Sequence, residues 1–380
     1  MSKPETTGTT SVRAGMEIDG TRLAEYLATQ FKSTTGLQFK PPLQIKQFQF
    51  GQSNPTYFIT DANNNRFVLR KKPPGQLLSK TAHAVEREYR VISALYTKSD
   101  VPVPRVYVLC EDNAVVGTPF YVMQFLQGRI FEDNALPQLE QRDRESCLMA
   151  LIQTLAKLHK TSIKDLNLET FSHNPTNFYS RQINTLSAIS QSQHSSNPDK
   201  VAAIPRLNEM LAWFKRNMVP EEPVTIVHGD YKLDNVVYAP TENRVIGILD
   251  WELSTLGHPL SDLANCLLSW YTPAEFHGKL PGVSVFGKGV ARPLSVPEVD
   301  VLLREYCKSV GRAYPIPRWE FCIAFSFFRL LVIIQGVTAR AARKQASSAN
   351  ATVADNKMME YCAGLVLQYV DKGDLDAAKL

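Results

Sequence analysis

Asp230, Asn235 and Asp250 are the residues whose types and spacing carry chemistry in this sequence. Asp230 and Asn235 stand five residues apart on a polar loop, inside Ile226-Val227-His228-Gly229-Asp230-Tyr231-Lys232-Leu233-Asp234-Asn235-Val236-Val237. The chain then turns and returns through Ile246-Gly247-Ile248-Leu249 to Asp250-Trp251-Glu252. This puts a second carboxylate at the end of a hairpin strand, 20 residues after the first. Phosphoryl transfer uses such a set: one carboxylate to accept the proton of an attacking hydroxyl, and hard oxygen ligands for Mg²⁺ bridging the phosphates. A lone Asp or Asn on a polar loop usually caps or turns the chain. The whole group, held between apolar strands, favours chemistry over capping. Glu252 fits either a supporting metal ligand or a polar strand end.

The elements that must position these residues follow from the hydrophobic pattern. Ile45 to Phe50, Thr56 to Thr60 and Phe67 to Arg70 read as a strand meander, broken by the turns Gly51-Gln52-Ser53-Asn54 and Asp61-Ala62-Asn63-Asn64-Asn65. After Pro73-Pro74-Gly75 comes a helix around Ala82 to Tyr96, then an extended Val-Pro-Val-Pro stretch and the strand Phe120-Tyr121-Val122-Met123. On that helix Val85, Tyr89, Ile92 and Tyr96 define one apolar face. Glu88 falls inside its arc and Glu86 outside, so Glu88 is the carboxylate that needs a buried cation. Past Gly128 the pattern turns helical, with an amphipathic helix from Arg144 to His159, and the polar run Gln191 to Asp199 reads as a surface loop.

The composition, 44% hydrophobic with 42 Lys+Arg against 37 Asp+Glu, suits a globular chain of two lobes, and net charge +5 is too balanced for a nucleic-acid binder. Six scattered cysteines without a C-x-x-C pair imply buried reduced thiols in an intracellular compartment. Phe321 to Val337 approaches membrane length. Arg329 at its middle would cost about 2.5 to 3.5 kcal/mol in lipid, so a core helix rather than a membrane span is expected. The first 20 residues, rich in Thr, Ser and Gly, are expected to form a flexible arm.

H-G-D-x-x-x-x-N followed by a strand ending in Asp resembles the catalytic loop and metal-binding strand of the aminoglycoside phosphotransferase and choline kinase-like family. The resemblance spans about residues 21 to 370 and implies an α+β, two-lobed protein-kinase-like fold. It has an N-lobe antiparallel sheet with one helix over residues 21–127, and a mainly helical C-lobe over 128–376. It further implies ATP and Mg²⁺ as cofactors, Asp230 as catalytic base, Lys232 beside the transferred phosphate, and Asn235 and Asp250 as metal ligands. Gly51, Ser53 and Asn54 correspond to a glycine-poor phosphate loop. Arg70 stands where the nucleotide-binding lysine normally does, with Glu88 as its partner, Lys72 on its face and Lys71 adjacent, so the phosphate contact is open among them. Gln124 and Leu126 correspond to the hinge that binds adenine through its backbone. His159 is expected to be structural, and Asp262 to cap its helix and brace the catalytic loop.

The strings Val68-Leu69-Arg70-Lys71-Lys72-Pro73-Pro74-Gly75, Val122-Met123-Gln124-Phe125-Leu126-Gln127-Gly128-Arg129-Ile130-Phe131 and Ser347-Ser348-Ala349-Asn350-Ala351 look like the kinase-like domain fused to certain acyl-CoA dehydrogenases. That narrower resemblance implies a hydroxyl-bearing small molecule, hydroxyacyl-CoA in particular, as acceptor, and disfavours antibiotics. With no D-F-G and no A-P-E, protein kinase activity is disfavoured too. The competing reading is a pseudokinase that binds nucleotide or acyl-CoA without turnover, suggested by Arg70 and the sparse glycine loop. Ala378-Lys379-Leu380 is similar to the S-K-L address, which implies recognition by the peroxisomal import receptor over a tail of residues 377–380 and a peroxisomal location.

Overall fold

The computed structural model describes residues 8–34, 39–49, 54–73, 84–276, 284–293, 295–342 and 356–375. Gly51, Ser53, Pro74, Gly75, Ser347 to Ala351 and Ala378 to Leu380 lie outside them. β1 (Thr9–Thr10), β2 (Gln44–Phe48), β3 (Thr56–Thr60), β4 (Arg66–Lys71), β5 (Val106–Cys110) and β6 (Phe120–Gln124) form one antiparallel sheet in the order β1-β2-β3-β4-β6-β5. Side chains alternate across β4, and both of its faces are buried. α1 (Gly20–Thr34) covers one face, where Leu23, Leu27 and Phe31 pack with Phe67 and Leu69. α2 (Val85–Lys98) covers the other, where Val85, Val91, Ile92 and Leu95 join Val68, Tyr121 and Met123. α3 (Asn113–Val116) is a single turn between β5 and β6.

Among the described residues the C-lobe is helical apart from two small sheets. Its helices are α4 (Gln141–Lys160), α5 (Phe178–Ser195), α6 (Leu207–Arg216), α7 (Leu260–Cys266), α8 (Leu268–Tyr271), α9 (Val299–Val310), α10 (Trp319–Ala342) and α11 (Asn356–Val370). β7 (Thr225–Val227) pairs with β10 (Thr255–Gly257), and β8 (Val236–Tyr238) with β9 (Val245–Ile248), both antiparallel. α10 is the long apolar segment expected to be a core helix: 78% of its most apolar window is buried, and it packs against α5, α7 and α11. The apolar core beneath α2 continues without a break into this lobe. All six cysteines are buried and unpaired.

Four expectations are corrected. Residues 8–19 are pinned rather than free: β1 pairs along β2, the Arg13 amide donates to Gln47 Oε1 at 2.9 Å, and Tyr57 donates its hydroxyl to Met16 O at 2.7 Å. That pairing satisfies an otherwise open sheet edge. The N-lobe carries α1 and α3 besides α2, because the second sheet face is apolar and needs its own cover. Residues 191–195 are the end of α5, not loop. Asp262 caps no helix, since both its oxygens accept from the His228 and Gly229 amides of the loop after β7 instead.

Candidate active site

The loop after β7 is held from below. The Asp262 carboxylate accepts from the His228 amide at 2.6 Å and from the Gly229 amide at 2.9 Å. His159 Nε2 approaches the same carboxylate at 3.4 Å, while its Nδ1 meets the Tyr306 hydroxyl at 2.7 Å. Burial alone would raise the Asp262 carboxyl, but His159, His228 and the Gly229 amide bring it below its ordinary range. His228, fully buried, accepts the Asp230 amide on Nδ1 and donates from Nε2 to Leu249 O at 2.8 Å, which ties the loop to the returning hairpin. Arg329 of α10 donates to Gly229 O and, at 3.4 Å, to Asn265 Oδ1.

On this base Asp230 and Asn235 face one another. Asn235 Nδ2 donates to Asp230 O at 2.8 Å and to Asp230 Oδ2 at 3.1 Å. Lys232 Nζ lies 3.6 Å from Asp230 Oδ2 and 3.1 Å from Asp234 Oδ2. Asp250 follows β9 in the left-handed region, φ +62°, which a non-glycine residue adopts at a cost. That turn brings Asp250 and Glu252 to the same side.

Arg70 of β4 joins the lobes. Its Nη2 donates to Asp250 Oδ1 at 2.7 Å and to Glu252 Oε2 at 2.8 Å, and its Nε lies 3.0 Å from Glu88 Oε2. Glu88, not Glu86, is therefore its helix partner. Glu88 also accepts from Asn54 Nδ2 at 2.8 Å and from the Tyr121 hydroxyl at 3.0 Å. Burial alone would lower the guanidinium's proton affinity, yet Glu88, Asp250 and Glu252 raise it above its ordinary value, so Arg70 stays charged.

Other candidate residues fall in different places. The Asn54 side chain is buried against Glu88 and joins the Arg70 cluster. Lys72 pairs with Glu86 at 2.5 Å, and Lys71 points through the opposite face to Val116 O at 2.8 Å, away from the cleft. At the hinge, the Gln124 amide is taken by Arg105 O at 2.7 Å. Leu126 packs directly on Gly247 of β9, where a Cβ would collide with it. Sequence reasoning missed Arg329 and Arg87 as site supports. Arg87 of α2 donates to Phe171 O at 2.8 Å and stacks over the Phe171 ring, docking the helix on the C-lobe. A cation in the apolar run of α10 was itself a signal, since it must find a partner.

Residues 44–292 match the model of the phosphotransferase enzyme family. The chain belongs to this family. Family relatives extend over nearly its whole length. Mouse acyl-CoA dehydrogenase family member 10 is 38% identical over 364 residues, covering 96% of this chain and 32% of that protein. Probable acyl-CoA dehydrogenase IBR3 of Arabidopsis thaliana is 36% identical, covering 94% and 44%. Human acyl-CoA dehydrogenase family member 11 is 36% identical, covering 89% and 42%. The chain thus spans less than half the length of each of these relatives. Among solved structures, a Ralstonia eutropha protein provisionally described as an aminoglycoside phosphotransferase superposes with TM-score 0.78 at 32% identity, covering 94% and 99%. The streptomycin-ATP complex of APH(2")-IIa superposes with TM-score 0.60 at 14% identity, covering 92% and 99%, a likeness of fold alone.

Proposed function

We propose that this family member is an ATP- and Mg²⁺-dependent phosphotransferase acting on a hydroxyl of a small molecule. The observation that carries the reading is the meeting of two lobes at Arg70, which sets Asp250, Glu252 and Glu88 around one guanidinium beside the Asp230-Asn235 loop. Asp230 is the base: as the acceptor oxygen bonds to the γ-phosphorus, its proton passes to Asp230 Oδ, and the β–γ bridging oxygen leaves with ADP. Asn235 holds that carboxylate in place, and Lys232 stands beside it as a cation for the transferred group.

The donor set suits a cation, since two carboxylates already converge on one cationic Nη2. Asp250 and Asn235 would hold Mg²⁺, with Glu252 beside them. Among the described residues no group of three His, Cys, Asp or Glu side chains would hold a metal ion by itself, so Mg²⁺ here would need phosphate and water to complete its shell. Bound there, it would neutralise charge developing on the phosphate oxygens. The Leu126 amide and Gln124 carbonyl are the hinge groups for adenine.

The relatives' names, acyl-CoA dehydrogenases, direct the acceptor search to hydroxyacyl-CoA. A nucleotide-binding protein without turnover is the alternative. Mass spectrometry of hydroxyacyl-CoAs, sugars, choline and aminoglycosides incubated with the protein and Mg-ATP decides between them. The proposal expects one phosphate added to a hydroxyacyl-CoA. A panel left unmodified, with nucleotide still bound, supports the alternative.

A further inference from the structure

Arg70 does more than pair with its helix. Its contacts differ in burial: the Glu88 side chain is 2% exposed, against 32% for Asp250 and 19% for Glu252. The Glu88 contact, made through Nε, is enclosed within the N-lobe and further held by Asn54 and Tyr121. The other two share a single nitrogen, Nη2, on the solvent side of the cluster and reach across the cleft. Rotation about the last bonds of the side chain can therefore move Nη2 while Nε keeps its place. Three carboxylates against one guanidinium leave two negative charges, the complement of one divalent cation.

We propose that Arg70 is the resident counter-cation of Asp250 and Glu252, and that a divalent cation gains these carboxylates only by displacing Arg70 Nη2 from them. The freed Nη2, on a side chain whose Nε stays paired with Glu88 at 3.0 Å, then turns to the incoming phosphate oxygens, charge-assisted acceptors suited to a guanidinium. Metal and nucleotide uptake are thereby coupled through one side chain. This also gives a physical reason for arginine at a place where lysine is usual: lysine Nζ ends one bond short of Nη2 and presents no second nitrogen to keep hold of Glu88. The inference rests on Asp250 being a metal ligand.

Electron paramagnetic resonance of Mn²⁺ with the nucleotide-free full chain tests it, with circular dichroism to check that each variant is folded. Arg70→Lys keeps the charge but removes the second nitrogen, whereas Arg70→Gln removes the charge. Competition predicts that Arg70→Lys binds Mn²⁺ about two- to fivefold more tightly than wild type, the worth of a partly exposed ion-pair contact. Unchanged affinity in Arg70→Lys, with tightening only in Arg70→Gln, would mean that Arg70 acts through its field alone, and overturns the proposal while leaving the metal site intact. Absence of Mn²⁺ binding in wild type, with or without ADP, overturns the metal assignment itself. A second measurement needs no variant: in ¹⁵N-arginine spectra of wild type, one protected guanidinium should lose protection as Mg²⁺ is added. A spectrum unmoved by saturating Mg²⁺ counts against the displacement.

Discussion

A side chain at position 229 would place its Cβ 2.5 Å from Leu253 O, on a backbone with φ +87°. Both facts require glycine in H-G-D: the conformation costs an L-residue roughly 1–2 kcal/mol, and the clash is with a carbonyl that cannot rotate away. Gly229→Ala should therefore destabilise the protein by more than about 2 kcal/mol and displace Asp230, since residues 228 to 230 are one continuous hydrogen-bonded turn. Urea unfolding checks the first expectation, and loss of phosphotransfer in the folded fraction the second. Wild-type stability with alanine there would show that the turn is softer than its geometry implies. Single residues were legible where chemistry restricts the choice. The placing of Glu88 inside the helical arc needed only 100° per residue, and the structure brings Glu88 to Arg70 while leaving Glu86 to Lys72. The inward turn of the Asn54 side chain onto Glu88 was not legible, because an amide on a polar turn gives no sign that it will fold onto a carboxylate.

Elements were legible by pattern when their own residues carry the signal, and lost when the reason for them lies elsewhere in the chain. β3 spans the expected Thr56–Thr60, and β4 extends Phe67 to Arg70 by one residue at each end. α1 was passed over, although Leu23, Leu27 and Phe31 recur at four-residue intervals, because the sheet face it covers emerges only once β3, β4 and β6 are paired. α10 was read as a core helix, but its Arg329 counted only as an argument against lipid. The partner it finds, Gly229 O, is 100 residues away and leaves no local trace. Arg329→Gln separates the helix's packing role from its support of the loop. It should keep α10 folded, with a loss of about 1–3 kcal/mol from the broken charged hydrogen bond. Turnover should fall by about ten- to a hundredfold at nearly constant nucleotide affinity, because the loop and not the hinge is disturbed. A rise in nucleotide Kd with turnover unchanged would assign Arg329 to the wrong side of the cleft.

At the scale of the whole molecule, the two lobes share one continuous apolar core, and polar contacts made by β4 and α2 cross the cleft above it. The two-lobed class was legible because the strand-rich and helix-rich halves differ in periodicity, and because the catalytic loop constrains what lies on either side. How the halves touch was not, since Arg70 meets partners 180 and 182 residues on. Those contacts bring the N-lobe arginine to the hairpin carboxylates, and the hairpin is itself tied to the Asp230 loop by the Leu249 amide donating to Asn235 O at 2.8 Å. The direct test is turnover of Asp230→Asn with Mg-ATP and the phosphorylated acceptor, alongside nucleotide affinity measured by calorimetry. General-base catalysis predicts that phosphotransfer falls by about 10²- to 10⁴-fold while nucleotide Kd stays within about threefold, since the Asp230 carboxylate acts in the transition state and not in nucleotide binding. Phosphotransfer at the wild-type rate, or a collapse of nucleotide binding with normal residual turnover, would contradict it.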